Sequence, residues 1–450
     1  MQDFTTGSLS RHLLKTSSFM LVTMVFQTLY VLVDLYWVSR LGTAAIAAVA
    51  VSGNLMFLVV AATQMLGVGT TTLISHATGR KDSAHANVIF NQAQVLSLLV
   101  GALFFALAMA LRVEYATRLS ADPITAQLAA DYLLWFIPAM ALQFGLVAIA
   151  AALRGIGNFR IGMLVQTGTI IVNIVLAPVL VFGWGSGRPL GVTGAAMASL
   201  IAIAVGIAWL IFYFLPSESY LTFDRRQWRP QPRLWKELLT IGLPAGAEFA
   251  LMTVYLVIVY AVSRPFGSAA QAGFGIGMRV LQAAFMPTVA LGFAVAPVAG
   301  QNVGARRARR VRRTFVDAAA MAAGVMTLLA VAFQLWPAAI VRVFSPDAGA
   351  VAFGEEYLRI VAWSFVAQGV VFVSSSMFQA LGNTVPPLLS SALRVVLIAA
   401  PLTVLTGLPG FQLRWVWYLS VLATLIQMTL NLALLHREYR LRLNVDLAAT

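Results

Sequence analysis

Two carboxylates stand inside long apolar runs: Asp34 in FQTLYVLVDLYWVSRLG, residues 26–42, and Glu248 in GLPAGAEFALMTVY, residues 242–255. An ionised Asp near the middle of a lipid-embedded helix costs about 2.5 to 3.5 kcal/mol, so a proton, a cation or a partner must offset it. The chemistry this suggests is reversible capture of a small cation. Covalent catalysis has no support, because the chain holds no HExxH, no GxSxG and no paired-carboxylate motif, and the absence of GxxxxGK[ST] argues against a self-contained ATP-driven pump. The chain is not expected to be an enzyme. With no cysteine, thiolate chemistry and disulfides are excluded, and His12, His76, His85 and His436 fall in or beside expected loops, so neither a metal centre nor another cofactor is expected.

The neighbours of each acid sharpen the reading. At 100° per residue Thr23, Gln27, Tyr30, Asp34 and Trp37 share one helical face, and Pro244, Met252 and Tyr255 share the face of Glu248. Asp34 precedes Arg40 by six residues, about 9 Å along a helix, and Glu248 lies roughly 20 Å from the cytoplasmic end of its own span. Asp34 could instead be held in a structural ion pair or by nearby hydroxyls; a proton or cation site facing a cleft is the sharper expectation. Uncharged polar stripes follow at Gln166 and Asn173, at Ser364, Gln368, Ser375 and Gln379, and at Thr424, Gln427 and Asn431, each of which alone reads as helix-packing glue. Gln27, Tyr30, Trp37, Gln143, Met252, Tyr255 and Gln368 are the candidate substrate-lining residues. Arg394 is expected to snorkel to the cytoplasmic interface rather than pair with an acid.

Long helices must carry these groups. The chain is 60% hydrophobic and 10% charged, with mean hydropathy +0.86, so it is an integral membrane protein and partners with a lipid bilayer. Apolar runs fall at 17–39, 44–75, 87–111, 127–153, 162–183, 190–215, 237–263, 268–300, 314–340, 357–380, 387–408 and 411–435, which predicts twelve transmembrane helices; the first reads as a span and not a signal peptide. The net charge of +14 comes from basic residues scattered between these runs and marks topology rather than nucleic-acid binding. Twenty Lys and Arg, six of them in ARRARRVRR from 306 to 313, lie on one side and eight on the other, which puts both termini in the cytoplasm of a multi-pass protein of the cell inner membrane.

Comparing residue n with n+225 reveals a repeat. Gly42 matches Gly267, Gly67 matches Gly292, Ser120 and Asp122 match Ser345 and Asp347, Asp131-Tyr132-Leu133 matches Glu356-Tyr357-Leu358, and Gly157-Asn158 matches Gly382-Asn383. The chain therefore divides into an N-lobe, residues 1–225 with helices 1–6, and a C-lobe, 226–450 with helices 7–12, each crossing the membrane an even number of times. Such parallel repeats suggest a central cleft that opens alternately to either side.

These residues resemble the multidrug and toxic compound extrusion (MATE) transporters of bacteria. LYVLVDLYWVSRLG is similar to that family's first-helix signature, nearer its DinF-like branch; LRGIGNFR and FQALGNTVPP resemble its paired loops after the fourth and tenth helices; GLPAGAEF and GVTGAAMAS resemble its seventh- and sixth-helix openings. The resemblance covers nearly the whole chain and implies an all-α MATE-like fold of two six-helix repeats. It also implies a cation site of first-helix Asp, fifth-helix Asn and Asp, and a sixth-helix hydroxyl. Carried over, these are Asp34, Asn173 and Ser199, with Thr193 the weaker match, while the second Asp falls on Ala177. Glu248 fits the seventh-helix acid of some branches, but the tenth-helix Asp has no counterpart, so both cation sites are incomplete.

That departure bears on coupling. Sodium wants about five or six oxygen ligands and favours anionic ones, whereas a proton needs one carboxylate. The expected function is therefore an antiporter that exports amphipathic, cationic, drug-like small molecules in exchange for protons, acting as a monomer, with Asp34, Asn173, Ser199 and Glu248 as the coupling residues. Asp34, Asn173 and Ser199 could still hold sodium. The alternative is a flippase of the same superfamily acting on a lipid-linked oligosaccharide or other lipid, which would want a more basic cavity than Arg279 and Arg394 supply.

Overall fold

A computed structural model describes residues 2–184, 187–214 and 220–443. The described residues form helices α1 Leu9–Ser39, α2 Thr43–Gly79, α3 Ser83–Leu119, α4 Pro123–Gly155, α5 Phe159–Phe182, α6 Gly191–Phe214, α7 Pro232–Ser263, α8 Ser268–Gly304, α9 Ala308–Leu335, α10 Pro337–Arg342, α11 Ala348–Val361, α12 Phe365–Leu381, α13 Val385–Leu405 and α14 Arg414–Leu443. No strand occurs among them. Twelve spans are long and apolar enough to cross a bilayer, α11 and α12 counting as one. In hydrocarbon every backbone N–H and C=O must be paired within its own segment, which is why such runs become helices.

Several helices overrun their apolar runs through polar flanking turns, α1 beginning at Leu9, α3 ending at Leu119 and α14 at Leu443, and two further spans are interrupted. The ninth stops at Leu335 because Pro337 cannot supply the next amide bond, and a separate short helix, α10, begins there. The tenth starts at Ala348, nine residues early, since Glu355, Glu356 and Arg359 depress the hydropathy of a stretch that is nonetheless helical; a 3₁₀ turn at Ala362–Ser364 interrupts it.

The chain forms two compact units. One comprises Met1–Asp3 and Phe19–Gly242, the other Phe4–Ser18 and Leu243–Thr450. In the first, α2, α3 and α4 close on a core of Ile74, Phe90, Leu133, Phe144 and Leu153. The start of α7 lies in this unit and crosses α2 at glycines: a Cβ on Gly242 would stand 2.0 Å from the Met65 carbonyl oxygen, and one on Gly69 would stand 2.4 Å from that of Leu238. Small residues permit such close backbone approach where lipid gives no hydrophobic drive. In the second unit Phe274 of α8 stacks on Trp417 of α14 at 5.5 Å, with Tyr357 of α11 edge-on to Trp417 at 4.7 Å.

The 225-residue register recurs in local geometry. Lys81 and Arg306, 225 apart, are the described non-glycine residues in the left-handed region, at φ 61° and 56°. Asp122 caps α4 through the Thr125 amide, and Asp347 caps α11 through that of Ala350. Asn158 donates to the Tyr213 hydroxyl at 2.8 Å, and Asn383 donates to the Glu438 carboxylate at 3.1 Å. The last two pairs carry the register past residue 158 to 213 and 438.

Candidate functional site

In the first unit four helices bring polar groups to one place. Ser199 on α6 receives the Asn173 amide of α5 at 3.1 Å and lies 3.0 Å from the Tyr30 hydroxyl of α1. Its own proton goes to the Ala195 carbonyl at 3.3 Å, so the Tyr30 hydroxyl donates and Ser199 is fully used. Asn173 and Ser199 are both 3% exposed. Asp34 stands one turn beyond Tyr30, and its Oδ1 is buried without a hydrogen-bond partner. It lies in electrostatic range of Tyr30 and of the buried Tyr132 on α4. Ala177, one turn from Asn173 on α5, is buried and puts a methyl at the position where the resemblance implies a second carboxylate.

The geometry therefore joins Tyr30, Asn173 and Ser199 directly and sets Asp34 beside them. Thr193 is only partly buried, six residues before Ser199 on α6. Trp37 packs edge-on to Phe182 and Trp184 at 5.9 and 5.7 Å, which closes the end of the polar face with aromatic rings. Gln27 is exposed and Gln143 on α4 is partly buried.

The second unit builds its own network. Glu248 on α7 accepts from Ser375 of α12 at 3.2 Å and from Ser391 of α13 at 3.1 Å. Ser391 in turn accepts from Gln427 of α14 at 3.0 Å. Tyr255, two turns beyond Glu248, lies 3.3 Å from Ser420 of α14. That pair echoes Tyr30 with Ser199: the tyrosines are 225 residues apart and the serines 221, one helical turn short. Gln368 donates to Ser364 within its own span at 3.0 Å, and Met252 is exposed.

Arg394 corrects the sequence expectation. Its guanidinium is engaged within the second unit: it lies over the Tyr255 ring at 5.5 Å, in electrostatic range of Glu248, with Nε buried and unbonded. A cation over an aromatic face keeps an attractive partner. Ser391 and Tyr132 also escaped sequence reasoning. Ser391 precedes Arg394 by three residues and so shares its face, while Tyr132 stood out only as a repeat match. Beyond Glu248, Gln427 Oε1 and both head atoms of the wholly buried Asn431 lack hydrogen-bond partners. Among the described residues no three His, Asp or Glu side chains gather in a way that could hold a metal ion.

Chemically, the first unit sets Asp34 beside neutral hydroxyls and amides, and the second holds Glu248 among serine hydroxyls with the Arg394 guanidinium in electrostatic range. A lone enclosed carboxylate can be neutralised by a proton or by an organic cation, but one charge cannot be cancelled twice, which is the elementary requirement for exchange.

The sequence profile of the MatE family matches residues 20–179 and 244–405, one stretch in each repeat. The "Probable multidrug resistance protein YpnP" of Bacillus subtilis is 27% identical over 412 residues, covering 90% of this chain and 89% of its own. The "Multidrug export protein MepA" of Staphylococcus haemolyticus is 26% identical over 428 residues, covering 94% and 92%. Among solved structures, a MATE transporter in the bent conformation superposes with a TM-score of 0.91 at 22% identity, covering 99% of this chain and 98% of that one, which is a likeness of fold.

Proposed function

The chain belongs to the MatE family of multidrug efflux transporters, and from that premise we propose that it exports amphipathic, cationic compounds in exchange for protons. As a transporter of this family it is not an enzyme. The observation that carries the proton reading is the pair Asp34 and Ala177: a half-buried carboxylate whose Oδ1 is enclosed without a hydrogen-bond partner, and a buried methyl at the position where the resemblance implies a second carboxylate.

In this reading Asp34 is the switch and Tyr30, Asn173 and Ser199 fix its surroundings. Facing the cytoplasm, ionised Asp34 and Glu248 attract the cationic substrate, and aromatic residues such as Tyr30 and Tyr255 take its apolar body. Facing outward, a proton on Asp34 cancels the charge that held the substrate, which leaves. The protonated carrier returns and loses the proton inside. The two repeats, 1–225 and 226–450, act as the moving lobes of a monomer in the inner membrane, with both termini cytoplasmic. Gln27, Trp37, Gln143, Met252 and Gln368 complete the proposed substrate surface.

The test is reconstitution with an organic dye cation, imposing proton and sodium gradients separately. Efflux driven by the proton gradient alone is expected; efflux driven by sodium at constant pH, with none under a proton gradient, would overturn the coupling. Movement of a lipid-linked oligosaccharide without dye transport would overturn the substrate class.

A further inference from the structure

The start of α1 is held by a guanidinium clamp. Phe4 precedes the helix yet is completely buried; its N–H donates to Gln301 Oε1 at 2.9 Å, and Asn302 Nδ2 donates to its carbonyl at 3.1 Å. Arg310 of α9 gathers the rest of the segment. Its Nη1 donates to the Gly7 carbonyl at 3.0 Å, and its Nη2 donates to the carbonyls of Phe4, Thr6 and Gly7 at 3.1, 3.3 and 3.1 Å. Asn302 Oδ1 fixes the fork by accepting from Nε at 3.0 Å, and Arg307 donates to the Thr5 carbonyl. Four consecutive carbonyls are thus taken by two arginines, and the turn that presents them depends on Gly7 at φ 72°.

Charge-assisted bonds in a fixed fork are stronger and more directional than those a lysine could make. The six-arginine run is therefore more than a topology signal, since Arg307 and Arg310 bind this segment and Arg313 pairs with Asp317, which also accepts from Ser10 of α1. The other repeat treats its first helix alike. Ahead of α7, the Thr222 amide donates to Asn87 Oδ1 at 2.7 Å, that of Asp224 to Asn91 Oδ1 at 3.0 Å and that of Gln231 to Gln92 Oε1 at 3.0 Å. Asn87, Asn91 and Gln92 lie on α3, the repeat mate of α9.

We infer that Arg310 is a positioning residue for transport: it fixes the start of α1, the helix that carries Asp34, so that a change at Asp34 moves the helix as a rod instead of fraying its end. This rests on the reading of Asp34 as the coupling group. Residues 4–18 belong to the second unit and the remainder of α1 to the first, so a released start would leave Asp34 able to take its proton with little motion transmitted.

The experiment compares proton-driven dye efflux in proteoliposomes for wild type, Arg310→Ala, Arg310→Lys and Arg309→Ala, an exposed neighbour. Arg310→Ala is expected to lower kcat about tenfold with KM unchanged within about twofold, Arg310→Lys to recover part of it, and Arg309→Ala to behave as wild type. Where Arg310→Ala fails to fold, Arg310→Lys carries the test with hydrogen exchange at residues 4–7: faster exchange together with reduced kcat supports the clamp. Faster exchange with wild-type kcat overturns it, as does a loss that disappears when rates are normalised to folded protein. Asp34→Asn is run beside them. Normal transport by Asp34→Asn removes the premise and this inference with it, whereas failure of Asp34→Asn with unaltered Arg310 variants overturns the clamp alone.

Discussion

Asn173 donates its amide to Ser199 across 3.1 Å, and with Tyr30 on the other side of the same hydroxyl, three helices meet at one oxygen. Asp34 is left outside this closed set. Replacing Asp34 by Asn keeps the shape and removes the titrating group, so proton-driven efflux of a dye cation should fall at least about tenfold while binding of a neutral substrate holds. Matched expression and initial rates in membrane vesicles check this.

Ala177→Asp supplies the second carboxylate that the resemblance implies for this position. If coupling follows ligand count, this variant should gain sodium-driven efflux while proton-driven efflux weakens. Persistence of purely proton-driven transport in a folded Ala177→Asp protein would contradict the ligand-count argument.

The Glu248 cradle gives a stability prediction. Ser391→Ala takes a donor from Glu248 and an acceptor from Gln427 at once, leaving buried groups unpaired at about 1 to 3 kcal/mol. Ser375→Ala removes a single bond and should cost less. Thermal unfolding in detergent, read for both variants, ranks the two.

Gly242→Ala would drive a methyl into the Met65 carbonyl and should destabilise by roughly 1 to 3 kcal/mol through overpacking. Gly53→Ala, with nothing within 4 Å of its Cβ, should be neutral or slightly stabilising as α2 gains helix propensity. A lower melting temperature for the second than for the first would refute the crossing as described.

Outside the bilayer, Asp122 accepts from the Thr125 amide at 2.9 Å and the Thr125 hydroxyl at 2.6 Å, and these bonds hold its carboxyl below the ordinary aspartate value. A depressed value in the folded state means that the cap stabilises above the unfolded value, near about 4, and is lost as pH falls through the folded one. The melting difference between wild type and Asp122→Asn should therefore be full at neutral pH and shrink on acidification; constancy across that range would argue against the cap.

Much of this arrangement was legible in the sequence. Run length and hydropathy locate twelve spans, a polar stripe on the fifth helix singles out Asn173, and Ser199 comes forward only through the resemblance to the MATE family. What stayed hidden depends on tertiary placement. Ser391 is chemically close to an apolar residue in a helix until an acid is found opposite it, and Arg394 can reach an interface or an aromatic face with equal ease until Tyr255 is placed beneath it. The clamp on residues 4–7 was invisible for a related reason. It is made almost wholly of backbone carbonyls, which every sequence carries, so only the arginines showed, and arginines near a helix start are read first as topology.

Each unit borrows the beginning of a helix from the opposite repeat: residues 4–18 fold with the second unit, and α7 up to Gly242 folds with the first. Severing the linker would therefore yield two fragments that must trade helix ends to be whole.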